Sequence, residues 1–163
     1  MSVIEDLYRE IILDHYSSPR NRGVLPSPAL KVEGANPLCG DELVLYLQEK
    51  DGEIKQVKIN TRGCSISQAS ASMMTEAIAG KKIEEIEKVI GNFKDLMLCA
   101  KGTSASGGKD GSKPKVDLGD LEILEGVKKY PVRIKCALLA WNTLIEGIKA
   151  LKNHRSAEMV VMD

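Results

Sequence analysis

Net charge is missing from this sequence: 23 lysines and arginines balance 23 aspartates and glutamates. That argues against a basic body built to wrap nucleic acid, and no nucleic-acid partner is expected. No apolar run approaches the roughly 20 residues that span a bilayer, so no membrane partner is expected either. The first residues, Met1-Ser2-Val3-Ile4-Glu5-Asp6-Leu7, lack the basic and apolar regions of a secretory signal. A cytoplasmic location is therefore the expectation. There is no phosphate-binding Gly-rich loop, no Gly-x-Gly-x-x-Gly and no Gly-x-Ser-x-Gly, so ATP- or NAD-dependent chemistry has no support. Cys-x-x-Cys is absent as well, which removes zinc ribbons, thioredoxin-like sites and ferredoxin runs. Histidine occurs only at His15, at a helix end where capping is the expected role, and at His154, in a tail expected to be solvated.

What remains is an ordinary folding composition, 43% hydrophobic and 28% charged over 163 residues. Such a length can bury a real core without disulfides. Leu7, Ile11, Ile12 and Tyr16 have helical spacing over residues 3–16, and Ser17-Ser18-Pro19 ends that helix. Apolar alternation on either side of Asp51-Gly52 predicts an antiparallel hairpin over 42–62, with a weaker strand near 30–34. A helix capped by Ser65 or Ser67 should run to Ala79 and stop at Gly80. A second helix should end at Gly91, with a third, short one from Phe93. Residues 101–116, rich in Gly, Ser and Lys, read as a flexible insertion within a single domain over 1–151. A short helix around Asp120–Val127 precedes a long one from Pro131 to Leu151, where Trp141 is expected in the core. Residues 152–163 read as a frayed tail.

Four cysteines carry the chemical interest. Cys39 stands two residues before Asp41, and on extended backbone both side chains would share one face, with Gly40 allowing close approach. Cys64 follows Gly63 at the start of a helix, where free N–H groups and the helix dipole favour a thiolate. A small buried residue filling a strand-to-helix corner fits that position equally. Cys136 follows Arg133 and Lys135, cations that lower a thiol pKa, yet its neighbours Ala137, Leu138 and Ala140 also suit a core cysteine. Cys99 has neither a motif nor an activating charge. Three thiols and one carboxylate would suit Zn²⁺ or iron–sulfur chemistry if the fold brought them together.

Several segments in order resemble the U-type iron–sulfur cluster assembly proteins, the IscU, SufU and NifU N-terminal family. These are Leu7–Tyr16 with Pro19-Arg20-Asn21-Arg22-Gly23, then Asn36-Pro37-Leu38-Cys39-Gly40-Asp41, then Gly63–Ser67 with Ala69–Met74, then Val132–Cys136 with Leu139-Ala140-Trp141. The resemblance implies an α/β (α+β) fold, with a small three-stranded antiparallel sheet packed against helices. It implies ligand roles for Cys39, Asp41, Cys64 and Cys136, and leaves Cys99 unassigned. Lys135 stands where IscU proteins usually carry a histidine, and Tyr130-Pro131-Val132-Arg133-Ile134 replaces their chaperone-binding segment, so the chain is most similar to the SufU branch. By that analogy a PLP-dependent cysteine desulfurase would deliver persulfide sulfur to Cys39 at a site holding one Zn²⁺, with Arg133 and Lys135 steadying the anion. A downstream scaffold or apo-protein would take the sulfur on. The alternative implied by the same resemblance is a scaffold for a transient [2Fe–2S] cluster, or iron, on the same four residues.

Overall fold

Strand alternation sets the architecture of the computed structural model, which describes residues 3–98 and 118–162. Cys99 and the insertion expected over 101–116 lie outside the described residues. Strands β1 (Leu30–Asn36), β2 (Asp41–Lys50) and β3 (Glu53–Arg62) form an antiparallel meander. Every second residue points inward: Val32, Gly34 and Asn36 on β1, and Asp41, Leu43, Leu45 and Leu47 on β2. A bulge at Gln48/Glu49 shifts the register so that Ile54, Val57 and Ile59 of β3 join the same face. Both inward rows end in a polar residue, Asn36 and Asp41, and these two are paired directly across the strands.

Helices α1 (Val3–Ser17), α2 (Ser65–Ile78), α3 (Ile83–Leu98) and α4 (Pro131–Lys152), with a 3₁₀ helix over Gly119–Lys129, complete the α+β arrangement. Helix α2 is sandwiched among α1, α4 and β3, which is why it is built largely of small residues and buried on most sides. Trp141 of α4 is fully buried and stacks on Phe93 of α3, ring centroids 4.4 Å apart. Its indole N–H donates to Ser70 Oγ at 3.1 Å, and that hydroxyl donates to the Ala137 carbonyl at 2.7 Å. His15 lies in the last turn of α1. It is buried, with Nδ1 2.7 Å from Ser72 Oγ, and so ties α1 to α2. No helix among the described residues is long and apolar enough to cross a membrane.

The sheet differs from the three-stranded antiparallel one expected. A fourth strand, β4 (Val160–Val161), pairs parallel to β1 at Gly34 and Ala35, giving the mixed order β3-β2-β1-β4. This strand comes from the segment expected to fray. Glu146 of α4 holds the approach to it, accepting from Arg155 Nη1 at 2.7 Å and from the Glu158 N–H at 2.9 Å. The Arg155 guanidinium in turn keeps the Glu146 carboxyl below its usual range. Helix α3 also runs unbroken through Gly91 instead of dividing there. A glycine within a helix costs about 1 kcal/mol relative to alanine. Burying Phe93 alone returns about 1.5–3 kcal/mol, so the helix continues.

Ser70→Ala should leave the buried Trp141 N–H without its acceptor. We expect the unfolding free energy in urea to fall by about 1–3 kcal/mol. An unchanged midpoint and slope would show that the indole does not depend on Ser70.

Candidate metal centre

Three elements end at one place. The β1–β2 hairpin supplies Cys39 and Asp41, the β3–α2 corner supplies Cys64, and the second turn of α4 supplies Cys136. Ligand atoms of Cys39, Asp41 and Cys136 all lie within 4.8 Å of one another. Cys64 Sγ stands 3.9 Å from Asp41 Oδ2. The three cysteines are free thiols. Of the four residues named from sequence, Cys39, Asp41 and Cys136 form one close cluster and Cys64 reaches it through Asp41, while Cys99 lies outside the described residues.

Each donor is held by a local feature. Cys39 is not on extended backbone: it sits in the four-residue loop between β1 and β2, its N–H donating to the Asn36 carbonyl at 3.2 Å. Gly40 provides the positive φ of +70° that this loop needs, and open space surrounds it. Asp41 is buried, 1% exposed, at the end of the inward row. Its Oδ1 accepts the Cys64 N–H at 2.9 Å, so the carboxylate staples the hairpin to the start of α2. Neither Ser65 nor Ser67 caps that helix. Cys64 itself takes the cap position, with φ −71° and ψ 163°, and its sulfur accepts the Ser67 N–H at 3.4 Å. Gln68 braces the corner by donating to the Gly63 carbonyl at 2.8 Å.

Two residues that sequence reasoning passed over are part of this construction. Gly63 has φ +136°, and a Cβ there would overlap Asp41 Oδ1 and stand 2.8 Å from Asp41 Cα. Only a glycine leaves room for the buried carboxylate. Asn36 is fully buried and places Nδ2 3.8 Å from Cys136 Sγ. The sequence signal for Asn36 was its place in the period-2 inward row; for Gly63 it was a glycine directly before a helix-capping thiol.

Exposure grades the donors. Cys136 is fully buried, while Cys39 and Cys64 are half-buried and line an open groove of about 920 Å³. Tyr8, Ile66, Tyr130 and Arg133 share its wall, and Leu38, Tyr130 and Val132 are exposed around it. Burial pushes the Cys136 thiol up, and the adjacent Asp41 and Cys39 push it the same way. The Arg133 side chain faces Cys136 and Cys64, and its hydrogen bond to Cys136 makes the guanidinium hold its proton more tightly than usual. Lys135, half-buried on the same helix, is not among the groove walls. Three sulfurs and one carboxylate with a buried amide beneath form a donor set of the kind that Zn²⁺ takes, and thiolates also hold iron–sulfur clusters.

Gly63→Ala should displace the Asp41 carboxylate. A lower urea midpoint, reflecting a loss of more than about 1 kcal/mol, and an upfield move of the Cys64 amide proton are expected. A Cys64 amide resonance unchanged from the unaltered chain would contradict the staple.

The NifU-like N terminal domain profile matches residues 7–137. The zinc-dependent sulfurtransferase SufU of Bacillus subtilis is 43% identical over 145 residues, which span 89% of this chain and 91% of that protein. The iron–sulfur cluster assembly scaffold protein IscU of Thermotoga maritima is 39% identical over 149 residues, 91% of this chain and 97% of that one. The crystal structure of FiSufU from Fervidobacterium islandicum AW-1 superposes with a TM-score of 0.71 at 35% identity, over 86% of this chain and 96% of that one. This chain therefore belongs to the NifU-like N-terminal domain family of iron–sulfur cluster assembly proteins, near its SufU branch.

Proposed function

We propose that this protein accepts persulfide sulfur from a PLP-dependent cysteine desulfurase in the cytoplasm, using Cys39 as acceptor. Cys39, Asp41, Cys64 and Cys136 hold one Zn²⁺ in this reading. The supporting observation is the close cluster of Cys39, Asp41 and a fully buried Cys136, with Cys64 beside Asp41, next to an open groove that the half-buried Cys39 and Cys64 line. The 43% identity to a zinc-dependent sulfurtransferase supports the same reading.

Bound zinc would keep its thiol ligands deprotonated at neutral pH, which matters because burial otherwise holds Cys136 in its protonated form. The chain's own residues do the rest. Cys39 sits on a short loop and not within a strand or helix, so its thiolate can turn outward without disturbing the sheet. It attacks the terminal sulfur of the desulfurase persulfide. A sulfur–sulfur bond forms at Cys39 Sγ, the donor's sulfur–sulfur bond breaks, and the electron pair leaves on the desulfurase thiolate. No outside reductant is required. Arg133 faces the sulfurs and supplies positive charge for the anion produced; Lys135, the second cation named by the resemblance, lies off the groove wall and has the lesser part. The exposed Leu38, Tyr130 and Val132 give the desulfurase an apolar surface to cover, and the sulfur passes to a downstream scaffold or apo-protein.

Purified protein should contain one zinc per chain and lack colour. Cys39→Ser should abolish sulfur uptake from the desulfurase. Arg133→Ala, with zinc content intact, should slow uptake by about 10–100-fold, the loss expected for one hydrogen bond to a charged group. Sulfur uptake undiminished by Cys39→Ser would overturn the acceptor assignment. A brown protein that gains iron and sulfide on anaerobic reconstitution, with no persulfide at Cys39, would support a [2Fe–2S] scaffold instead; the Thermotoga maritima relative is named an iron–sulfur cluster assembly scaffold protein.

A further inference from the structure

Asn36 closes the inward row of β1 and lies opposite Asp41, beneath the donor set. Its side chain is fully buried. Nδ2 faces Cys136 Sγ at 3.8 Å, and Oδ1 has no hydrogen-bond partner among the described residues. A half-satisfied buried amide is a poor choice for stability alone. The orphaned oxygen costs about 1–3 kcal/mol, whereas an apolar side chain of similar volume is nearly neutral. The row above it is otherwise apolar or small, with Val32 and Gly34, so the packing itself does not call for an amide.

What an amide does there, and leucine cannot, is donate to sulfur. The alternatives are worse. A lysine would bury a second charge, and an aspartate would stand directly across from the buried carboxylate of Asp41. A neutral donor supports a negative sulfur without adding charge to the interior.

We propose that Asn36 is a positioning residue for the candidate metal centre: its side-chain N–H donates to Cys136 Sγ and aims that sulfur at the space between Cys39 and Asp41. The inference rests on the reading of Cys39, Asp41, Cys64 and Cys136 as metal ligands. It deepens that reading by dividing their labour. Cys136, gripped from the interior by Asn36, is the ligand that stays. Cys39, on the hairpin loop, is the ligand that exchanges.

The test uses the full chain loaded with Zn²⁺, Co²⁺ or ¹¹³Cd²⁺. Asn36→Leu should leave the metal-free fold equally stable or more so. It should weaken zinc binding by about 10–100-fold and shift the sulfur-to-metal charge-transfer band of the Co²⁺ form. Unchanged zinc affinity and an unchanged cobalt spectrum would overturn the proposal. If Asn36→Leu fails to fold, the unaltered chain decides: with ¹¹³Cd²⁺ bound, a scalar coupling should connect the metal to the Asn36 side-chain amide protons through sulfur, and its absence overturns the proposal. Failure of the underlying reading has a different signature. The unaltered chain would then bind neither Zn²⁺ nor ¹¹³Cd²⁺, or Cys136→Ser would bind them undiminished, and the role of Asn36 would fall with it.

Discussion

A buried carboxylate that accepts a backbone N–H holds this molecule's working end together. Asp41 finishes an apolar row on β2, where a charge is costly unless it is paired. The Cys64 N–H pairs it at 2.9 Å, and that donor is one of the unsatisfied groups at the start of α2. One hydrogen bond thus satisfies both a stranded acceptor and a stranded donor. It also fixes the distance between two segments that carry sulfur. Gly63 is the steric condition for this contact, since any Cβ there would meet Asp41.

From that staple follows an ordered set of donors. Cys64 is fixed by its own capping role, and Cys136 by the second turn of a long helix packed on the sheet. Cys39 is held only by a hairpin loop beside the exposed Leu38. Two thiols on regular elements and one on a short loop would suit the proposed role, in which the site must hold an ion and still open to an incoming sulfur. Arg133 lies where the groove meets the sulfurs, so charge and access coincide.

Much of this was legible in the residues. Asp51-Gly52 between alternating runs gave the hairpin, and Pro131 gave the start of the last helix, because both signals are local. The site residues were legible only as separate segments, since Cys39, Cys64 and Cys136 meet through the fold and not through spacing. Other features depended on partners far away in the chain. β4 forms because Glu146 restrains Arg155 and Glu158, and α3 crosses Gly91 because Phe93 and Met97 have a core to enter. His15 stands at the end of α1 as its sequence position indicated, but its buried link to Ser72, 57 residues away, was not visible there. Cys64 displaced two serines as the cap because Asp41 already holds its N–H, a fact that no local propensity contains.

X-ray absorption at the zinc edge, on the full chain loaded with one equivalent of Zn²⁺, tests the convergence of the donors most directly. Three sulfurs at about 2.3 Å and one oxygen at about 2.0–2.2 Å are expected. A shell of light atoms alone, or of four sulfurs, would contradict a centre built from Cys39, Asp41, Cys64 and Cys136.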